Sequence, residues 1–202
     1  MVFTHDTDMT LMHAAALANT GPALGSEDRE ELPDLAALVA WMDLWEWTGR
    51  RPTTETEVEA VRRLRPRLRE IWGLDEDGLV DAANTLLEEG RALPRLVRHG
   101  AFGWHVHATS DDAPLARRIA VEVGMALVDV IRADETDRLK VCAGEDCEDL
   151  IIDLSKNRSR KFCDGTCGTR ANVAAYRARK SRESTTPDPP ASHHPDRDKI
   201  DQ

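Results

Sequence analysis

The sequence predicts an α+β protein: a mainly helical N-terminal domain with a small β-hairpin, followed by a compact C-terminal module built on four cysteines. Three observations carry this. Apolar residues recur at helical spacing through most of the first 137 positions, and the pattern changes to alternation around residues 93–108. All four cysteines fall between Cys142 and Cys167. With 202 residues, 41% of them hydrophobic, the chain can bury a core of ordinary size and carry a smaller appendage. The N-terminus has neither a basic stretch nor an apolar signal core, and every long apolar run is broken by charge. A soluble cytoplasmic protein without membrane contact is expected.

The elements follow in order. Leu35, Leu38, Val39, Met42 and Trp45 keep helical spacing after Pro33, and Gly49 is placed to end that helix. The tryptophans there read as core. Thr54 and Glu57 have capping-box spacing ahead of Val58, Val61, Leu64, Leu68 and Ile71, with Pro66 expected to kink the helix. A further helix from Asp77 to about Gly90 would bury Leu79, Val80, Ala83, Leu86 and Leu87. Two strands then turn at His99-Gly100, with Phe102, Trp104, Val106 and Ala108 on one face and Gly103, His105 and His107 on the other. Asp112 is read as the cap of a helix with Pro114 in its first turn and Leu115, Ile119, Val123, Leu127 and Val130 as its buried stripe. Residues 133–138 form a short charged link. The resulting domains are 1–137, 138–182 and a tail, 183–202, whose four prolines and near absence of apolar residues predict disorder.

Charge divides along the same lines. Residues 1–137 hold 14 Lys/Arg against 26 Asp/Glu, whereas residues 138–182 hold 11 against 6. Within the second part, residues 154–182 carry nine basic side chains and one acid, Asp164. That asymmetry suggests a polyanionic partner, although a solvated basic surface or a protein contact would also produce it.

The cysteines form two close pairs, Cys142-x4-Cys147 and Cys163-x3-Cys167, separated by a 15-residue loop. Four soft thiolates grouped in twos suit a tetrahedral zinc ion, and four protein ligands leave no open position for substrate water. Reduced unconnected thiols, disulfides and an iron-sulfur cluster are the alternatives. Gly144 would permit the tight turn of the first pair, and Cys163 and Cys167 share a face if a helix begins there. Residues 148–154 read as a strand, Lys156 to Lys161 as a turn and Lys161-Phe162 as the start of a return strand. Knuckle, hairpin and helix in that order describe a treble-clef-like finger. Val173, Tyr176 and Phe162 would pack its helix onto its hairpin, while Arg170, Arg177 and Lys180 fall on one side of that helix and Arg179 and Arg182 elsewhere.

Several segments closely resemble the CGNR zinc-finger family: Leu139-Lys140-Val141-Cys142, the run from Asp153 through Cys163, Cys167-Gly168-Thr169-Arg170-Ala171, and Tyr176-Arg177-Ala178-Arg179. In that family the finger follows an ABATE domain, and Ala18-Asn19-Thr20, Leu93-Pro94-Arg95 and Trp104-His105-Val106-His107 look like ABATE landmarks. Together the resemblances span about residues 8–182. They imply a bacterial, stress-induced transcription regulator with one structural Zn2+ on Cys142, Cys147, Cys163 and Cys167 and a DNA-binding finger. One signature position departs, since the family's Asn is Thr169 here. Threonine keeps a hydrogen-bonding oxygen but loses the amide's paired donor and acceptor, which alters any DNA contact made there.

Signatures of common enzymes are missing: there is no phosphate-binding glycine loop, no His-Glu-x-x-His and no Gly-x-Ser-x-Gly. The expectation is a non-enzymatic protein. His105 and His107, with Arg98, could line a small-molecule pocket, against which stands a plain solvent-facing strand surface. Two functions compete. In one, the finger binds DNA through Arg158, Arg160, Lys161, Arg170, Arg177, Arg179 and Lys180, while the acidic part senses an effector or forms a homodimer. In the other, the finger is an adaptor docking on an acidic protein.

Overall fold

A computed structural model describes residues 2–22, 30–98 and 103–185, without the side chains of 181–185. The tail beyond 185, the His99-Gly100 turn and Phe102 lie outside the described residues. The element order is α1 (His5–Asn19), α2 (Leu35–Leu44), α3 (Glu55–Ile71), α4 (Glu76–Glu89), β1 (Arg95–Arg98), β2 (Trp104–His107), α5 (Leu115–Arg132), a 3-10 turn (Thr136–Arg138), β3 (Leu139–Val141), β4 (Leu150–Ile152) and α6 (Gly165–Thr185). The N-terminal region is mainly helical with one hairpin. Two short strands, four clustered cysteines and a helix follow it.

The central helix is α5, whose Leu115, Ile119, Val123, Leu127 and Val130 are buried as the periodicity predicts. It packs closely on α4 because two small residues let the backbones approach. A Cβ on Gly124 would lie 3.0 Å from the Leu87 side chain, and one on Gly90 would overlap Val121. Helix α1, which the sequence reading did not single out, lies against α3, α5 and β4. Its buried residues are mostly small or aliphatic, Leu11, Ala14, Leu17 and Ala18 among them, and its polar face is short, so it shows little amphipathic contrast.

Several local readings change. Helix α2 is capped by Asp34, which accepts from the Ala37 N–H, but it ends at Leu44; Gly49 lies beyond, in a loop at φ +80. The Thr54 hydroxyl does not cap α3; Glu57 accepts from the Thr53 N–H at 2.9 Å instead. Helix α3 continues through Pro66. Pro114, rather than Asp112, occupies the cap position of α5. Val80 is exposed, because α4 turns its Leu79, Ala83 and Leu86 stripe inward, with half-buried Leu87 beside it.

The first hairpin pairs Arg95 with His107 and Arg98 with Trp104. Its apolar face points outward, leaving Leu96 and Trp104 each 69% exposed, while His105 and His107 are half-buried. The alternative of a solvent-facing histidine surface is therefore reversed: of the described members of the apolar set, Trp104, Val106 and Ala108, only Ala108 is buried.

The second hairpin also differs. β4 pairs with β3, with Leu139 opposite Ile152 and Val141 opposite Leu150, and Lys161-Phe162 is not a strand. The knuckle thus sits within the hairpin rather than before it. All three residues of β4 are buried, and Leu150 and Ile152 belong to the same core as α1 and α3. The charged link is a built joint, since Arg138 is buried and donates to the carbonyls of Asp153 and Ser155 and to Glu135. Helix α6 runs three residues past the expected end of the finger, to Thr185. Among the described residues no helix is long and apolar enough to cross a membrane.

Candidate metal centre and aromatic cavity

The sulfurs of Cys142, Cys147, Cys163 and Cys167 all lie within 4.8 Å of one another, and none is in a disulfide. Cys142 directly follows β3, Cys147 ends the knuckle, Cys163 precedes α6 and Cys167 lies in its first turn. Cys147 Sγ and Cys163 Sγ are 3.7 Å apart, as are Cys163 Sγ and Cys167 Sγ. Thiolates about 2.3 Å from a tetrahedral ion stand about 3.8 Å from each other, so the donor set fits such an ion. Disulfide pairing would require about 2 Å.

The surroundings prepare the sulfurs for a cation. Cys142 Sγ accepts from the N–H of Cys163 at 3.2 Å and of Gly144 at 3.4 Å. Burial works against its thiolate, but these donors outweigh it and bring Cys142 below the ordinary thiol value. Burial pushes Cys147 up to about 11 and, with its crowded neighbours, raises Cys163 as well. Four thiols so close cannot all ionise alone; a divalent ion makes that possible. Gly144 serves space more than turn geometry, since a Cβ there would meet Cys167 Sγ at 3.1 Å. The left-handed residue of the knuckle is Asp146, at φ 59.

Asp153, which the sequence reading placed only within a motif, organises the loop that follows. Fully buried, it accepts from Lys140 Nζ at 2.6 Å, from the Ser155 N–H and hydroxyl, and from the Arg160 N–H. Burial alone would raise its carboxyl, yet Lys140 and Ser155 hold it far below the ordinary carboxylate range.

The basic residues divide by what they already touch. Arg158 is paired with Glu135 at 3.0 Å, and Arg160 donates to the carbonyls of Phe162 and Cys163. Arg170 Nη2 donates to Cys167 Sγ at 3.2 Å, so this guanidinium is held against the metal centre. Lys161, Arg177, Arg179 and Lys180 are exposed, as is Thr169. Val173 and Tyr176 are also exposed, at 42% and 58%, so they do not pack α6 onto the hairpin. That contact belongs to Phe162, whose ring faces Gly168 in the first turn.

Asn19 joins the two parts of the chain. Its side chain accepts from the Leu150 N–H at 2.8 Å and donates to the Leu150 carbonyl at 2.9 Å, as a neighbouring strand would. Trp72 Nε1 adds a bond to the Ile151 carbonyl, and Arg69 one to that of Glu148. Hydrophobic spacing has no signal for such polar contacts across 131 residues.

At the other end of α1 is a cavity of about 140 Å³ between α1, the α2–α3 loop, β2 and α5. His105 and His107 line it, as does buried Arg118. Arg98 does not; it is exposed at the end of β1. The sequence reading missed His13, Trp45 and Trp47, because a tryptophan cluster at helical spacing reads as core. Trp41 and Trp47 are indeed buried, but Trp45 and Trp47 also form the cavity wall.

A four-thiol centre shared between a knuckle and a helix start, mounted on a helical domain, defines the chain as a zinc-finger protein. Family comparison gives the particular lineage. Residues 13–134 match the ABATE family, described as "Putative stress-induced transcription regulator", and residues 138–180 match the CGNR zinc finger. The chain belongs to the ABATE family and carries a CGNR zinc finger behind the ABATE domain. No curated protein matches it.

Proposed function

We propose that this chain is a DNA-binding transcription regulator in which Cys142, Cys147, Cys163 and Cys167 hold one structural zinc ion. The observation that carries the reading is the convergence of the four thiols at the first turn of α6. A bound zinc would fix the direction in which α6 leaves the finger and offer no open coordination position for catalysis. Arg177 and Lys180 would then be presented on one side of α6, with Arg179 on another and Lys161 in the preceding loop, in a stretch with nine bases and one acid. These four act as phosphate contacts, joined by Arg158 and Arg160 from the loop. Arg170 has a fixed guanidinium, with Nη2 on sulfur and Nη1 left to reach a base edge. The ABATE part acts as the sensing unit, supported by its cavity walled by aromatic rings.

Metal analysis of protein purified without chelator should find about one zinc per chain, lost on Cys163→Ser. Gel-shift assays with genomic fragments, with and without chelator, then test the DNA reading. Binding should weaken with salt at a log-log slope of roughly −0.9 per phosphate contact. Arg177→Ala should weaken all sequences alike, whereas Arg170→Ala should cost about 1 to 3 kcal/mol on the preferred sequence. Zinc-loaded protein without salt-sensitive retention at about 50 mM salt would replace this reading with the adaptor function.

A further inference from the structure

Taking the ABATE part as a sensor, a reading on which this inference rests, the cavity restricts what it can sense. A volume of about 140 Å³ is small; a cavity of roughly 150 Å³ holds one benzene-sized ring. The wall is aromatic, with the His13 ring centred 5.0 Å from Trp45 and 5.4 Å from Trp47. Glu46, between the two tryptophans, is held at φ 53, a left-handed conformation that disfavours a non-glycine residue. That turn brings adjacent indoles onto the same cavity.

Two polar atoms of residues that line the cavity are unspent. Trp47 Nε1 and His13 Nε2 are buried without a hydrogen-bond partner, and Trp47 as a whole is 7% exposed. An unsatisfied buried donor is costly, so a guest that accepts the indole proton gains what the folded protein lacks. Burial also lowers His13 to about 4, which leaves its imidazole neutral at physiological pH and able to make one more hydrogen bond through Nε2.

Charge argues against an anion. Asp6, Glu46, Asp111 and Glu122 all line the cavity. The cation facing them, Arg118, already donates through Nε, Nη1 and Nη2 to the carbonyls of Ala113, Thr48 and Arg50. The two groups left without a partner, the Trp47 indole and the His13 imidazole, are neutral.

We propose that this cavity binds an uncharged, single-ring aromatic molecule whose carbonyl or ring-nitrogen acceptor takes the Trp47 Nε1 proton while its ring lies against His13 and Trp45. Benzamide is the probe, compared with toluene, benzoate and benzamidinium, which share its size and differ in acceptor or charge. Saturable benzamide binding to the full-length protein, followed by tryptophan fluorescence and saturation-transfer NMR, should be the tightest of the four. Trp47→Phe keeps a ring but deletes the donor and should weaken it about tenfold. Trp104→Phe, on the outer hairpin face, should leave it unchanged. In the unaltered protein, benzamide should shift the Trp47 indole N–H resonance and leave that of Trp104 in place, a readout that does not depend on a variant folding.

Toluene binding as tightly as benzamide, tighter binding of either charged probe, no saturable binding, or an unmoved Trp47 indole resonance would each overturn the proposal. DNA retention measured on the same preparation separates the two claims. Its loss with benzamide binding intact removes the regulator reading, and the reverse result removes only this ligand class.

Discussion

The two ends of α1 treat their polar groups in opposite ways. Near Asn19, the loop beside the finger leaves little unspent: Asp153 accepts four hydrogen bonds, the Arg138 guanidinium reaches two carbonyls and a carboxylate, and Asn19 satisfies both polar groups of Leu150. Near His13, the Trp47 indole N–H and His13 Nε2 lack partners, and four acids and the Arg118 cation line the same cavity. A satisfied buried network holds one geometry, whereas an unsatisfied one gains by accepting a guest. One helix therefore connects a clamp to a receptive site.

The sharpest way to break the comparison is to remove the metal. Small zinc units owe on the order of 10 kcal/mol to their ion. Because Leu150 and Ile152 lie in the same core as α1 and α3, the loss should extend past the finger. Chelation is expected to lower the melting temperature of the whole chain by circular dichroism. A two-step trace with an unshifted main transition would mean that the finger is a separate unit, as the Cys-free N-terminal part first suggests.

Asp153→Ala should be next in size, because it leaves the Lys140 ammonium only the Arg158 carbonyl and strands three other donors. A loss of about 3 to 5 kcal/mol in urea unfolding is expected. Asp153 also has a pH signature. Its carboxyl is held below the ordinary range, so its contribution is present above the unfolded carboxylate value and is lost as pH falls. Asn19→Ala should cost less, about 1 to 3 kcal/mol, while hydrogen exchange at the Leu150 amide accelerates. Unchanged exchange there would show that the apolar contacts of β4 alone hold the joint.

The cavity end gives the smallest effect and is read through pH. Burial raises Glu122 to about 7 from an ordinary 4.5, so the folded state binds its proton more tightly than the unfolded chain does. Stability from this group is therefore lost as pH rises from 4.5 through 7, and Glu122→Gln should flatten that slope. His13 runs the other way: lowered from 6.5 to about 4, it costs stability as pH falls through that interval. Thermal melts between pH 4 and 8 should separate the two, and identical slopes in wild type and Glu122→Gln would place Glu122 in water.

The sequence by itself determined what is local and periodic. The stripe of α5 from Leu115 to Val130, the Cys pairs and the basic run from 154 to 182 depend on spacing within one element or one loop, and spacing is visible in a linear chain. Even the start of α6, between Cys163 and Cys167, is signalled by their interval of four. Facing was decided elsewhere. Alternation in Trp104 to His107 separates two faces but cannot say which is inward, and packing on α1 and α5 chose the histidines. Pairing was likewise open: Leu150 to Ile152 reads as a strand, but its partner proved to be Leu139 to Val141, with its buried sides set against α1. Asn19 to Leu150, Trp72 to Ile151 and the cavity between His13 and Trp47 bring together residues from distant segments. Such contacts form only once the core has set the helices in place, so they belong to the tertiary structure.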